Sequence, residues 1–278
     1  MLKRFCNALA LAGVILVLFA SSCQKNSDTT GPITAMPPDK KPVTPDTPVI
    51  YKLVWSDEFS GTAVDTSQWN METGTGVNNE KEYYQAANAT VENGNLVITA
   101  KQEFVGGASY TSARMNTLNK VSAKYGRIEA RIKLPLGNGL WPAFWMMGSN
   151  IKALSWPNCG EIDIMEHINA DDLIYGTIHW NGGGGHVQYG DKTTTATPGD
   201  YHLYAVEWNE KEIRWYVDDK QFVTANIAAN INNTGAFHLP FFILLNLAVA
   251  GDFPGQTVDQ GKLPAKMYVD YVRVYKAQ

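Results

Sequence analysis

The sequence is expected to fold as an all-β sandwich of two antiparallel sheets, of jelly-roll type. Three observations lead there. Short segments of alternating or β-branched composition recur from residue 50 onward, separated by turn residues. Long amphipathic helical patterns are absent. The aromatic complement is large, with eight Trp, thirteen Tyr and ten Phe, and only Phe5 and Phe19 precede residue 50. Rings in that number build a sheet core, face a ligand, or do both.

The elements follow in chain order. Asn95–Lys101 is β-rich and comes directly after the turn Glu92-Asn93-Gly94. Tyr125–Lys133 alternates, with Ile128, Ala130 and Ile132 on one face and Arg127, Glu129 and Arg131 on the other, as a half-buried strand does. His202–Glu207, Ile213–Val217 and Gln221–Val223 read as three strands, with turns at Asn209-Glu210-Lys211 and Asp218-Asp219. Phe241–Val249 is nearly all apolar and fits a buried helix or a buried strand. Its length, with Pro240 before it and Gly251 after it, favours the strand. Met267–Tyr275 closes the chain with β-branched and aromatic residues. Many short strands of this kind suit two packed sheets.

Composition narrows the function. The 278 residues carry a net charge of −4, which argues against a broad basic surface for nucleic acid. Hydrophobic residues make up 45% and charged residues 18%, so a real core is available. The N-terminus is different. Lys3 and Arg4 precede a short apolar run, Leu9–Phe19, which is shorter than the roughly 20 residues a membrane helix needs. Ala20, Ser21 and Ser22 then precede Cys23. This start resembles a bacterial lipoprotein signal and implies residues 1–22 as signal and Cys23 as the lipidated residue. An ordinary secretory signal is the alternative. Residues 23–49 are polar and hold Pro32, Pro37, Pro38, Pro42, Pro45 and Pro48, as a semi-stiff tether would. The expectation is an exported, surface-anchored monomer whose folded part is residues 50–278. With Cys6 removed and Cys23 lipidated, Cys159 has no partner for an intramolecular disulfide.

The chemistry concentrates in Gly160-Glu161-Ile162-Asp163-Ile164-Met165-Glu166-His167. In a regular strand Glu161 and Asp163 share one face, while Glu166 falls on the face of Ile162 and Ile164. A one-residue bulge around Ile164-Met165 would send Met165 into the core and return Glu166 to the other acids. Crowded carboxyls repel, so one is pushed to keep a proton while another stays ionised. Retaining glycoside hydrolysis needs that division, with carboxyls ~5–5.5 Å apart. Acids on one strand face also suit a solvated surface or Ca²⁺.

The surrounding segments carry a resemblance. The acid strand matches the bulged Glu-x-Asp-x-x-Glu motif of glycoside hydrolase family 16. Lys124–Pro135, Gly139–Gly148, Trp55–Phe59, Asn78-Asn-Glu80, Tyr83-Tyr84, Thr177–Trp180, Asn246–Val249 and Val269–Tyr275 are similar to its laminarinase-type branch, the endo-β-1,3(4)-glucanases. The resemblance covers about residues 50–278. It implies a jelly roll with an open cleft across a concave sheet, and endo-hydrolysis of a β-glucan with retention. It implies Glu161 as nucleophile, Glu166 as general acid/base, and Asp163 between them tuning the nucleophile's proton. The residues alone do not say which Glu attacks.

Indole rings present flat, electron-rich faces to the C–H faces of a sugar. Trp141 and Trp145, just upstream of the acids, are expected in the cleft, whereas Trp55, Trp69, Trp208 and Trp215 are expected in packing. His179 falls on the next strand, within reach of a carboxylate or the sugar. By the resemblance, Asn78 and Arg114 contact donor-side hydroxyls, and a structural Ca²⁺ would be held by Glu58, the Gly94 carbonyl and Asp270. Catalysis itself is expected to need no cofactor. His167 should point away from the acids, and Cys159 is expected as a small core residue. Two departures from the common pattern stand out. Glu82 occupies a position where Gln is frequent, and Phe253 one where Trp is frequent. Both bear on which β-glucan is preferred.

Overall fold

The computed structural model of the protein describes residues 49–278. The signal segment, Cys23 and the tether up to Pro48 lie outside the described residues. The rest folds as two sheets. In the first, neighbouring strands run His186–Thr194, Leu173–Asn181, Glu161–Glu166, Leu140–Gly148, Phe241–Val249, Arg114–Asn116 and Asn70–Met71. In the second they run Lys220–Asn226, Glu212–Val217, Tyr201–Trp208, Gly126–Lys133, Ala265–Ala277, Asn95–Val105, Ala108–Ser112, Glu82–Tyr84 and Gly74–Thr75. Tyr51–Asp57 pairs with Ala265–Ala277, and Ala89–Glu92 with Asn95–Val105.

One pairing corrects the all-antiparallel expectation. Glu82–Tyr84 lies parallel to Ala108–Ser112. Two chain reversals, at Glu92/Asn95 and Val105/Ala108, separate them and restore the original direction.

The expected alternation is present. Ile128, Ala130 and Ile132 are fully buried in the core between the sheets. Their outward neighbours form ion pairs: Arg127 donates from Nε to Glu129 at 2.7 Å and from Nη2 to Asp219 at 2.7 Å. Phe241–Val249 is a strand, and both its faces are covered. Phe241, Ile243, Leu245, Leu247 and Val249 enter the main core, while Phe242 and Leu244 pack with Ala143 and Trp145 on the outer face. A central strand buried on both faces has no reason to alternate, which explains its continuous apolar run.

The tryptophans expected in packing are there, and each indole N–H finds an acceptor. Trp55 meets Trp69 edge-on at 6.1 Å. Trp69 donates to Asp57 Oδ2 at 2.8 Å and Trp208 to the Phe237 carbonyl at 3.0 Å. Trp215, fully buried on the second sheet, reaches across the core to the backbone carbonyl of Asp163 at 2.7 Å. That bond ties the far sheet to the acid strand. Substituting Trp215→Phe removes the donor and leaves a buried carbonyl short of it, so urea denaturation should show a loss of about 1–3 kcal/mol. Unchanged stability would mean that this cross-core bond contributes nothing.

Candidate active site

The acid strand contains the expected bulge. Against Leu140–Gly148 the register runs Met147 to Glu161, Met146 to Ile162 and Trp145 to Asp163, then jumps to Phe144 opposite Met165 and Ala143 opposite Glu166. Ile164 is therefore the extra residue. Ile164 and Met165 are 1% and 0% exposed and both enter the core. With two consecutive side chains taken inward, Glu166 emerges on the face of Glu161 and Asp163. The next strand places His179 beside Glu161 and Tyr175 beside Glu166.

Each carboxyl has a specific partner. Trp156 Nε1 donates to Glu161 Oε2 at 2.8 Å, and Trp141 Nε1 donates to Glu166 Oε1 at 2.9 Å. His179 Nε2 lies 3.1 Å from Asp163 Oδ2, and its Nδ1 lies 2.9 Å from Nε2 of His186. One donor atom each from Glu161, Asp163 and His179 lie within 4.8 Å of one another, spacing that a metal could bridge. Their commitments to Trp156, to each other and to His186 make the group a proton-sharing cluster.

Burial first, and then Asp163, push the Glu161 carboxyl up to about 8. Burial pushes Glu166 up to about 7, against the opposing pull of His179 and the Trp141 N–H. Asp163, 3% exposed, is raised well above the ordinary aspartate range by burial and by Glu166. Three carboxyls in one apolar floor cannot all be ionised cheaply.

The other expected residues are distributed as follows. Trp141 stands at the rim, edge-on to Phe253 at 5.6 Å, and Phe253 in turn meets Tyr175 at 5.0 Å. Trp145 is on the expected face but only 9% exposed. Its N–H goes to Asn246 Oδ1 at 2.7 Å, and the Arg114 guanidinium lies 5.0 Å from its ring. It lies in the floor, deeper than Trp141. Arg114 pairs with Glu72 at 3.1 Å. Burial works against its charge, but Glu72, Tyr84, Glu80 and Glu161 keep it protonated. Asn78 is exposed, and its carbonyl accepts the Asp252 N–H at 2.8 Å beside Trp141. His167 is fully buried against the Asp171 carbonyl, away from the acids as expected, and Cys159 is a buried free thiol.

Sequence reading missed Trp156. It is 44% exposed, lies 4.6 Å from the His186 ring and holds the nucleophile candidate. The available signal was a lone Trp in the turn-rich Trp156-Pro-Asn-Cys-Gly160, just ahead of the acids. The expected calcium ligands are engaged otherwise. Glu58 accepts two N–H bonds from Arg273 at 2.9 and 2.8 Å, and Asp270 pairs with Arg131 at 2.7 Å. Hard oxygens suit Ca²⁺, but with a guanidinium on each carboxylate these residues do not fit the ion as arranged.

Comparisons with known proteins give the family. The family model "Glycosyl hydrolases family 16" matches residues 77–273. This chain belongs to glycosyl hydrolases family 16. Among relatives of the family 16 domain, the Clotting factor G alpha subunit of Tachypleus tridentatus is 43% identical over 231 residues, covering 81% of this chain and 34% of that protein. The Beta-glucanase of Rhodothermus marinus is 40% identical over 245 residues, covering 81% of this chain and 85% of its own. The solved laminarinase from Rhodothermus marinus superposes with a TM-score of 0.77 at 38% identity, covering 83% of this chain and 99% of that one. The chain thus spans about a third of the clotting-factor subunit but nearly all of the laminarinase structure. The sandwich is the jelly roll of that neighbour.

The Trp156 bond lowers the Glu161 proton affinity. Trp156→Phe should therefore raise the Glu161 pKa further. A glutamate acting as nucleophile must be ionised, so with Glu161 in that role the ascending limb of kcat/KM against pH should move to higher pH. A limb that stays in place would remove Trp156 from the tuning of this carboxyl.

Proposed function

We propose that this chain is a retaining endo-β-glucanase acting on laminarin-type β-1,3-glucan, mixed-linkage β-1,3-1,4-glucan, or both. The observation that carries the reading is the bulged strand, which aims Glu161 and Glu166 to one face with Asp163 between them and an indole N–H on each glutamate.

The steps follow from the proton affinities. Asp163 sits against Glu161, and burial and Glu166 hold its carboxyl well above the ordinary aspartate range, so it can take up the proton that Glu161 must shed. The freed Glu161 carboxylate attacks the anomeric carbon. The protonated Glu166, near its midpoint at neutral pH, gives its proton to the glycosidic oxygen as that C–O bond breaks. This leaves a glycosyl ester on Glu161. Glu166, now a carboxylate, takes a proton from water, and the hydroxide attacks the same carbon. The ester bond breaks and the configuration is retained. His179 keeps Asp163 oriented through the 3.1 Å contact. The two carboxyls suffice for this chemistry without a cofactor. Trp141, Phe253 and Tyr175 supply ring faces and edges along one wall.

Purified protein should release oligosaccharides from laminarin or mixed-linkage glucan, and NMR should find the first-formed anomer β. Glu161→Gln should abolish turnover and still bind glucan. Release from agarose or carrageenan with none from any glucan would replace this reading with a galactanase one.

The export signal and the Cys23 anchor are proposed on the sequence of the first residues alone. They place a monomeric enzyme at a membrane surface, tethered by the proline-rich segment. Among the described residues no helix is long and apolar enough to cross a membrane. Cys23→Ala should move the protein from the membrane fraction to the soluble one, and retention there would remove the anchor.

A further inference from the structure

Glu82 is fully buried, although it is a carboxyl. Its Oε2 accepts the Val249 N–H at 2.6 Å, while its Oε1 has no ordinary donor. That second oxygen points at the space beside Gly76. A Cβ on Gly76 would lie 2.8 Å from Glu82 Oε1 and 1.9 Å from Glu80 Oε2, so the two carboxyls converge there. Glu80 Oε2 also accepts the Tyr84 hydroxyl at 3.0 Å, and Asn78 Nδ2 lies 3.5 Å from its Oε1. Two carboxylates cannot meet in such a place without a proton between them. A protonated Glu82 donating to Glu80 gives Oε1 its partner.

The pair sits where two loops are joined. Residues 76–80 bond to residues 250–256 through Asn79 Nδ2 to Asp252 Oδ1 at 2.7 Å, Asp252 N to the Asn78 carbonyl at 2.8 Å and Gln256 Nε2 to the Asn79 carbonyl at 3.2 Å. The second loop begins where Glu82 holds Val249, and it carries Phe253 against Trp141. Tyr84 extends the network inward, accepting from Asn246 at 3.4 Å, and Asn246 accepts from Trp145 at 2.7 Å.

We propose that Glu80 and Glu82 form a one-proton carboxyl clasp that positions the two loops framing the cleft, so that glucan binding weakens when the shared proton leaves. The substrate named here rests on the glucanase reading. The charged and titratable groups around the clasp are few. Its own strand offers Tyr84, with the Tyr83 ring turned to Gly106, and the preceding Lys81 sends its Nζ away to the Gln256 carbonyl. The parallel neighbour places Tyr110 across from Glu82. Arg114, paired with Glu72, faces the Tyr84 ring at 6.0 Å. Asp252 is the nearest charge on the far loop and is held by Asn79. Phe241–Val249 presents only its backbone N–H and Asn246. Burial first, and then Glu80, push the Glu82 carboxyl up to about 8.

The sign follows. An unfolded glutamate releases its proton in the ordinary carboxylate range, while folded Glu82 keeps it to about 8. This group therefore withdraws stability as pH rises across that window and adds no further slope above it. Gln at position 82 supplies a permanent N–H to Glu80 and a carbonyl oxygen to Val249.

The test is Glu82→Gln in the full-length protein. The melting temperature of wild type minus variant should fall from pH 5 to pH 8 and then level off. Above pH 8 the wild-type KM for laminarin should rise about fivefold relative to the variant's at the same pH, the size of one lost hydrogen bond, while the ratio of the two kcat values stays unchanged. A melting difference independent of pH overturns the clasp, whether or not any glucan is cut. A sloping difference with superimposable KM curves overturns its role in binding. Absence of turnover in both proteins would sink the glucanase reading and leave the melting arm to decide the clasp.

Discussion

The rest of the site depends on the placing of two neighbouring side chains, Ile164 and Met165, into the same core. Each contributes on the order of 1.5–3 kcal/mol on burial. Together they hold the strand in a conformation that a regular ladder would not adopt. A regular strand would send Glu166 inward with Ile162 and Ile164, where an unpaired carboxylate is far more costly than a lost methylene. The apolar core therefore selects the bulged register, and that register produces the carboxyl trio. Trp215 reinforces it from the opposite sheet, donating to the carbonyl of Asp163 just where the ladder slips.

Bringing three acids to one face has an electrostatic cost, which the neighbouring rings turn into an ordering of protons. Indole N–H groups at Glu161 and Glu166 favour the ionised forms, while burial opposes them. Asp163 has no indole donor, only His179, and burial and Glu166 hold it well above the ordinary aspartate range. The nucleophile candidate can be freed by passing its proton to Asp163, two residues along the strand, with no charge leaving the cluster. Equal surroundings for the three acids would give no division between attacking and protonating groups.

Much of this was legible in the chain. The period of two in Tyr125–Lys133 located a half-buried strand, and the spacing of the acids required a bulge at Ile164-Met165, which is where the register slips. Both readings are local, depending on neighbours a few residues apart. The features that escaped depend on distant partners. Trp156 is only five residues from the Glu161 it donates to, but the His186 ring it packs against arrives through the pairing of the two strands that follow the acids. Trp145 lies in the floor with Arg114, far away in sequence, against its ring. The parallel pairing of Glu82–Tyr84 requires counting the reversals between strands. The arginines on Glu58 and Asp270 are likewise invisible to a motif that matches only the acids.

The cleft is supported from behind as well as from within. Neither Trp215 nor Glu82 lies on the carboxylate sheet, and each spends a buried hydrogen-bonding group on the backbone of a cleft strand, at Asp163 and at Val249. A single buried thiol leaves the described domain without a covalent brace. Stiffness at the three carboxyls must come from packing and such cross-sheet bonds. Catalysis by positioned groups tolerates little slack, since the reacting atoms must already lie near attack distance. A sandwich whose core side chains fix the backbone of its own active strand satisfies that requirement, because loosening the site would also require unpacking the core.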